Sequence, residues 1–330
     1  MCTRGRGTIR VAALALLAAF TLPACDQSFD PRASLDSKMV VFSVLSTDRR
    51  AQVVRVEASY MPPEYDPLSY STSSFQGDAI VTLKAPNGIF QFRDTLLPRP
   101  DTTRYKSPIH AFVLNPYILL RGKSYQVLVQ SPTFGQVTST VTVPDQAMIA
   151  LSAEMLDVLK NPDQYPKDAA VIYTMSLARS SKAFVGRLLL YYDVLKGAEW
   201  VEEAVEIPIL SSDSTSYSLD IPHYPKFAVT PSTAQVGLLY RNGYYIAIIN
   251  KLNEKYHSTK VIFKWTTLIL LQADRNLYEY YSVTHGGEDP YSIRLDVPSV
   301  SSISGGLGMV GAYSLDSLVH ILPERFWGDR

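Results

Sequence analysis

Four carboxylates crowd one tryptophan in this chain: Glu199, Glu202, Glu203 and Glu206 flank Trp200. Two carboxyl groups held at a set separation beside an aromatic ring can cleave a glycosidic bond. Nothing in the sequence sets that separation here, so a solvated strand or turn face is the favoured reading. The five histidines, His110, His223, His257, His285 and His320, are scattered. No two have the i,i+4 or His-x-His spacing of a metal pair. Gly306-Leu307-Gly308-Met309-Val310-Gly311 matches the dinucleotide spacing G-x-G-x-x-G. That site also needs a following helix, a second parallel strand and an acidic residue about 20 positions on. The residues after Gly311, Pro323 among them, leave no room for those. Its glycines are read as a bulge or a close backbone approach. There is no G-x-S-x-G elbow, P-loop or H-E-x-x-H. The expectation is a non-enzymatic chain with no catalytic residue, no metal and no cofactor.

One residue does have chemistry written into its position. Cys25 closes the stretch Leu22-Pro23-Ala24-Cys25, after an apolar run from Val11 to Leu22 that Arg4, Arg6 and Arg10 precede. A basic start, an apolar middle and a small residue before the cut make a secretory signal. A cysteine at the first mature position resembles a bacterial lipoprotein signal, in which the thiol receives lipid. The run would span roughly 18 Å as a helix, against about 30 Å of hydrocarbon, so it is too short for a membrane anchor. Residues 1–24 are therefore expected to be a lipoprotein signal peptide, with Cys25 as the lipidation site. The polar residues 25–37 are read as a tether. Asp26, which follows the cysteine, does not decide the membrane leaflet.

The only cysteines are Cys2 and Cys25. Cys2 leaves with the leader, so no structural disulfide can form and the fold must rest on hydrophobic cores. The chain has 31 basic and 31 acidic residues. Removing the leader takes basic residues only, which leaves a slightly acidic remainder with no electrostatic footprint for nucleic acid. Its length suits roughly two ordinary domains, and a hydrophobic content of 46% is that of a globular protein.

The elements that would position any site are mostly strands. Met39 to Leu45 is a β-branched run. Ala79–Leu83 and Ile89–Phe92 flank the turn Ala85-Pro86-Asn87-Gly88. Tyr125, Val127 and Val129 alternate, as do Val137, Ser139, Val141 and Val143. Gln146 to Lys160 is either a helix or the start of a second sandwich. Further strands are expected over 170–177, 187–194, 235–239 and 244–249, with a buried strand over 261–271. Tyr240-Arg241-Asn242-Gly243-Tyr244 reads as a second hairpin turn. Residues 274–281 read as a short helix capped by Asp274. Tyrosine is enriched, with 21 residues in clusters such as Tyr191-Tyr192 and Tyr278-Tyr280-Tyr281. Such side chains can stack on sugars or anchor interfaces, though strands favour tyrosine without any ligand. The expected fold is all-β, with two β-sandwich-like domains over 38–145 and 146–330 and one or two short helices in the second.

Two resemblances add to this. Leu120-Arg121-Gly122-Lys123-Ser124-Tyr125 resembles the tyrosine corner of fibronectin type III and immunoglobulin-like sandwiches. The C-terminal quarter, with Asn276 to Tyr281, Asp289-Pro290-Tyr291 and Ser302 to Tyr313, is similar to an uncharacterised lipoprotein family of Bacteroidetes-type bacteria, a domain of unknown function. Ser302 and Val310 depart from that family's usual asparagine and phenylalanine. Genes of the family often lie beside those of TonB-dependent outer-membrane receptors, and no catalytic residues are established for it. The resemblance implies an outer-membrane lipoprotein of the cell envelope, an accessory of a TonB-dependent transporter that binds the receptor or its cargo. Two alternatives stay open: a structural or adhesive envelope protein that binds glycan or protein, and a hydrolase with histidine and carboxylate side chains converging in one cleft.

Overall fold

The computed structural model describes residues 36–60, 75–100, 102–103, 108–209, 225–257, 259–285 and 300–323. The leader, Cys25 and the tether up to residue 35 lie outside the described residues, as do His223, the stretch Asp289-Pro290-Tyr291 and the side chain of His285.

Eight strands form the first half: β1 (Met39–Ser46), β2 (Gln52–Ala58), β3 (Ile80–Ala85), β4 (Gly88–Gln91), β5 (Arg93–Leu97), β6 (Ile109–Leu114), β7 (Ser124–Ser131) and β8 (Gly135–Thr142). They hydrogen-bond in the orders β1-β2-β6-β5 and β4-β3-β7-β8. Lettered A to G with C′ after C, these orders are A-B-E-D and C′-C-F-G, the topology of an immunoglobulin-type sandwich. Period-two burial produces it: Val127 and Val129 of β7 lie beside Leu83 and Val81 of the neighbouring β3 on one face of the core. The tyrosine corner is present. The Tyr125 hydroxyl accepts the Leu120 N–H at 2.6 Å. Burial pushes its pKa upward.

The second half adds β9 (Met148–Ala150), β10 (Ala170–Ser176), β11 (Ala183–Lys196), β12 (Glu199–Ile207), the two-residue β13 (Ala228–Val229), β14 (Gln235–Arg241), β15 (Val261–Ala273) and β16 (Leu307–Ile321). Three helices interleave: α1 (Ala153–Lys160), α2 (Asn242–Lys255) and α3 (Arg275–His285). The sheet orders β14-β10-β9 and β12-β11-β15-β16 read as E-B-A and C′-C-F-G, so the immunoglobulin-type arrangement recurs. The strands over 170–177 and 187–194 are present, the latter longer than expected, and the buried strand over 261–271 is β15.

Two expectations are corrected here. Asn242-Gly243 does not turn a hairpin, and 244–249 is not a strand; both belong to α2. The loop over 162–169 satisfies the helix start. Asn242 N–H donates to Ala169 O at 2.9 Å and Gly243 N–H to Lys167 O at 2.8 Å. The Asn242 carboxamide donates to Pro162 O at 2.8 Å. Residues 244, 245, 248, 249 and 252 pack on the second core, a helical spacing that an Asn-Gly turn signal obscured. The ambiguous segment 146–160 holds both β9 and α1, whose cap is Ser152 accepting from Met155 N–H.

The halves are not separate bodies. Residues from Ser37 onward cluster as one unit. Two cores meet near Asp145, but β16 serves both. Its first half pairs in parallel with β1, and its second half pairs antiparallel with β15. One sheet therefore runs β12-β11-β15-β16-β1-β2-β6-β5 through the molecule. Val310 and Ala312 belong to the first core. Leu318, of the same parity, packs on the second. Since alternate residues share a face, the two smaller sheets cover the same side of the long one. The boundary expected at 145/146 divides the cores, while the glycine-rich segment assigned to the second domain completes the first.

Candidate functional site

The carboxylates around Trp200 lie on edge strand β12, and pairing with β11 alternates them between faces. Glu202 and Glu206 face outward, where Lys264 pairs with Glu202 at 2.8 Å and with Asp193 at 3.2 Å. Arg187 pairs with Glu206 at 2.7 Å. Glu203 faces the other way. It pairs with Lys196 and accepts hydrogen bonds from Tyr192 at 2.8 Å and Tyr256 at 3.1 Å. The Lys196 ammonium and the two hydroxyls hold its pKa at about 2. A carboxyl so held is ionised at neutral pH and carries no proton to give a leaving group. Alternation also sets Glu203 across the strand from Glu202 and Glu206, against the convergence glycoside cleavage needs.

Among the described residues, no group of three or more His, Cys, Asp or Glu could hold a metal. His110 stands 3.7 Å from Asp94 and packs on Phe75. His257 contacts Glu254 O at 3.0 Å. His320 sits beside Tyr173 in the second core, its pKa lowered by burial and then by Lys160.

The glycine run lies where β16 joins β1, and close approach explains it. Gly308 has φ +107°, and a Cβ there would stand 2.1 Å from Val41 O. A Cβ on Gly311 would stand 2.7 Å from the Leu277 Cβ of α3, and one on Gly306 2.7 Å from Met39 O. The motif is thus a seam, with no phosphate cradle. Among its neighbours are Asn276 and Ser302, two of the residues that carried the family resemblance. The Asn276 carboxamide donates to Val310 O at 2.9 Å and to Thr140 O at 3.1 Å. Ser302 Oγ accepts the Val310 N–H at 2.9 Å, and Ser139 Oγ donates to Ser302 O at 2.8 Å. Asp274 caps α3 as expected, accepting from Leu277 N–H at 2.9 Å. It also accepts the Ala312 N–H of β16 at 2.9 Å. Burial raises its pKa to about 6, against these hydrogen bonds.

A second polar knot holds the inter-core linker. Arg121 pairs with Asp316 and donates to Leu315 O at 2.7 Å. Asp316 accepts the Ala147 N–H at 3.0 Å. Gln272 donates to Asp145 O at 2.9 Å and accepts the Ala178 N–H at 2.7 Å. These partners are remote in sequence, so no local motif announced them.

Two surfaces could meet a partner. One is the outer face of β12-β11-β15-β16. Trp200, Val319 and Ile321 on it are 46%, 52% and 67% exposed. Tyr191 and Trp265 stack beside Ile321, with ring centroids 5.6 Å apart. Lys264 lies over the Trp265 ring at 4.5 Å. The other is a recess at one end of the first sandwich, lined by Arg50, Asn87, Phe90, Pro116, Tyr117 and Ile118. Sequence reading singled out neither as a binding site. The first emerges only when strand register aligns residues from four strands, the second only when three loops converge.

Comparison with known proteins adds little. No family model matches the chain, and no curated protein matches it. A solved structure, the C-terminal globular domain of an oligosaccharyltransferase from Pyrococcus abyssi, aligns with 89% of this chain at 9% identity and a TM-score of 0.22. The chain covers 52% of that structure's length. A likeness of that degree carries no argument about fold or activity.

Proposed function

We propose that this chain is a lipid-anchored cell-envelope binding protein, anchored through Cys25, and a non-enzymatic accessory of a TonB-dependent outer-membrane transporter. The observation that carries the binding role is the outer face of β12-β11-β15-β16. Isolated surface hydrophobics are ordinary, but an aligned apolar and aromatic face edged by ion pairs has the composition of an interface. The ion-paired state of Glu202, Glu203 and Glu206 argues against the hydrolase reading. The anchor rests on the Leu22–Cys25 stretch and its apolar leader. The transporter as partner rests on the resemblance of the C-terminal quarter, which is an analogy of family.

The test is a tagged pull-down from gently solubilised native membranes, read by mass spectrometry. Cys25→Ala and Ile321→Lys serve as comparisons. Stoichiometric recovery of a TonB-dependent receptor, reduced by Ile321→Lys, is the expected result. Recovery of the lipoprotein alone, under conditions that preserve known complexes, would sink the accessory role and favour the structural or adhesive alternative.

A further inference from the structure

The recess at the end of the first sandwich sets two side chains that can donate, Arg50 and Asn87, beside apolar walls. It is an open recess of about 440 Å³, in volume within the range of small-molecule sites. Three connections meet there. Arg50 comes from the turn after β1, Asn87 from the turn after β3, and Pro116, Tyr117 and Ile118 from the segment leading to the tyrosine corner.

Hydrogen bonds hold these loops. Tyr117 N–H donates to Arg50 O at 2.8 Å. The Tyr117 hydroxyl donates to Asn87 Oδ1 at 2.9 Å. Tyr117 is buried against Phe90, their ring centroids 4.7 Å apart. Its pKa is pushed up to about 12, first by burial, so the phenol stays protonated.

Those bonds fix what the pocket offers. Asn87 Oδ1 is engaged by Tyr117, so its carboxamide presents the Nδ2 donor. The Arg50 guanidinium is exposed and has no side-chain partner among the described residues. Among the described residues that line the recess there is no carboxylate. The rest of the lining is Phe90, Pro116, the Tyr117 ring and Ile118, and Ile118 is 55% exposed. Aromatic and aliphatic walls take an apolar body. A guanidinium and an amide donor at one side take an anionic oxygen pair, and the planar fork of arginine suits a carboxylate.

We propose that this recess binds a carboxylate carried on an aromatic or branched apolar group, with Arg50 and Asn87 on the carboxylate and Phe90 and Ile118 against the apolar body. Such chemistry comes either from a free small-molecule acid or from the C-terminus of a peptide ending in an apolar residue. The site is independent of the transporter partnership and of the outer sheet face.

The test uses the full chain in detergent and saturation-transfer NMR, with 3-phenylpropanoate as probe and 3-phenylpropanamide as its neutral match. A ligand of this size in a half-open site is expected to bind with a Kd of about 1 mM. The amide should bind about tenfold more weakly. Arg50→Gln should weaken the carboxylate about tenfold and leave the amide unchanged. Phe90→Ala should weaken both, and Ile118→Ala, at an exposed position, repeats that test without burdening the fold. A Gly-Gly-Phe tripeptide, free or amidated at its C-terminus, separates the sources. Tighter binding of the free tripeptide than of the small acid assigns the pocket to peptide ends. Binding of the small acid alone assigns it to free acids. Equal binding of acid and amide, an Arg50→Gln variant that binds as wild type, or no saturable transfer up to 20 mM probe (about twenty times the expected Kd) overturns the proposal.

Discussion

The two sandwiches share a topology and differ in their last strand. In the first, β8 is eight residues long and pairs within its own sheet along its length. In the second, β16 is 15 residues long, and half of it belongs to the other sandwich. They also differ in how the connection to the sixth lettered strand is held. The first uses one tyrosine hydroxyl on a short loop. The second inserts a whole helix, α2, seated by a buried asparagine. The first sandwich is thus locally stapled but incomplete at its β1 edge, and the second supplies what is missing. An edge strand left open invites pairing with another chain, and β16 closes that edge within the molecule.

The strongest way to break this relation is Gly308→Val. The side chain would collide with the Val41 carbonyl at a backbone conformation that L-residues rarely adopt. A loss above about 4 kcal/mol is expected, in the exceptional class of point substitutions. Urea unfolding followed by fluorescence should then show the first sandwich melting ahead of the second. A single unshifted transition would mean that the seam does not couple them.

Asp316→Ala should come next. It leaves Arg121 without its ion-pair partner and the Ala147 N–H without an acceptor. The expected cost is about 3 kcal/mol, since the buried Ala147 N–H and Gln272 amide lose an acceptor while the half-buried Arg121 turns to solvent. Chemical denaturation reads it. A cost below about 1 kcal/mol, the level of an exposed pair, would show the knot to be peripheral.

Asp274 sharpens the comparison through pH. Its native pKa of about 6 lies above the ordinary aspartate value, so the native state holds this proton more tightly than the unfolded chain. Its contribution is full below about pH 4 and is lost as pH rises through about 6. The difference corresponds to roughly 2–3 kcal/mol. Asp274→Asn keeps an acceptor for Leu277 and Ala312 without the charge, so its stability should fall less than that of wild type between pH 4 and 6.5. Parallel stability curves for the two proteins would reject the shift. Smallest is Tyr125→Phe, which removes the hydroxyl's two hydrogen bonds with Leu120 and should cost about 1–1.5 kcal/mol. Equilibrium unfolding should show that loss with the coupling between cores intact.

Much of this was legible along the chain. Alternating apolar residues announced β7 and β8, a β-branched run announced β1 and a short apolar run announced β15, because each buries its side chains locally. Asn87-Gly88 turned the expected hairpin. The same dipeptide at Asn242-Gly243 opened a helix, because distant carbonyls of the loop over 162–169 accept its donors and a helical apolar face follows. The acidic cluster read as a solvated face has each of Glu202, Glu203 and Glu206 paired, and the cations Arg187, Lys196 and Lys264 come from two neighbouring strands. The recess was invisible because Arg50, Asn87 and Tyr117 come from three loops, and no spacing rule links them.

The order of residues along the chain set the class of structure: short strands, period-two burial, a tyrosine corner, glycines where backbone must pass close, and cores built without disulfides. Those signals are local, since each depends on a residue and its near neighbours. The assembled fold alone shows that the last strand is shared, that Asn276, Ser302 and the glycine run form a seam between cores, and that an apolar sheet face and a recess carrying Arg50 and Asn87 reach the surface. Register between strands far apart in the chain sets all three. That register follows from which edges and faces bury together, a property of the whole assembly of strands.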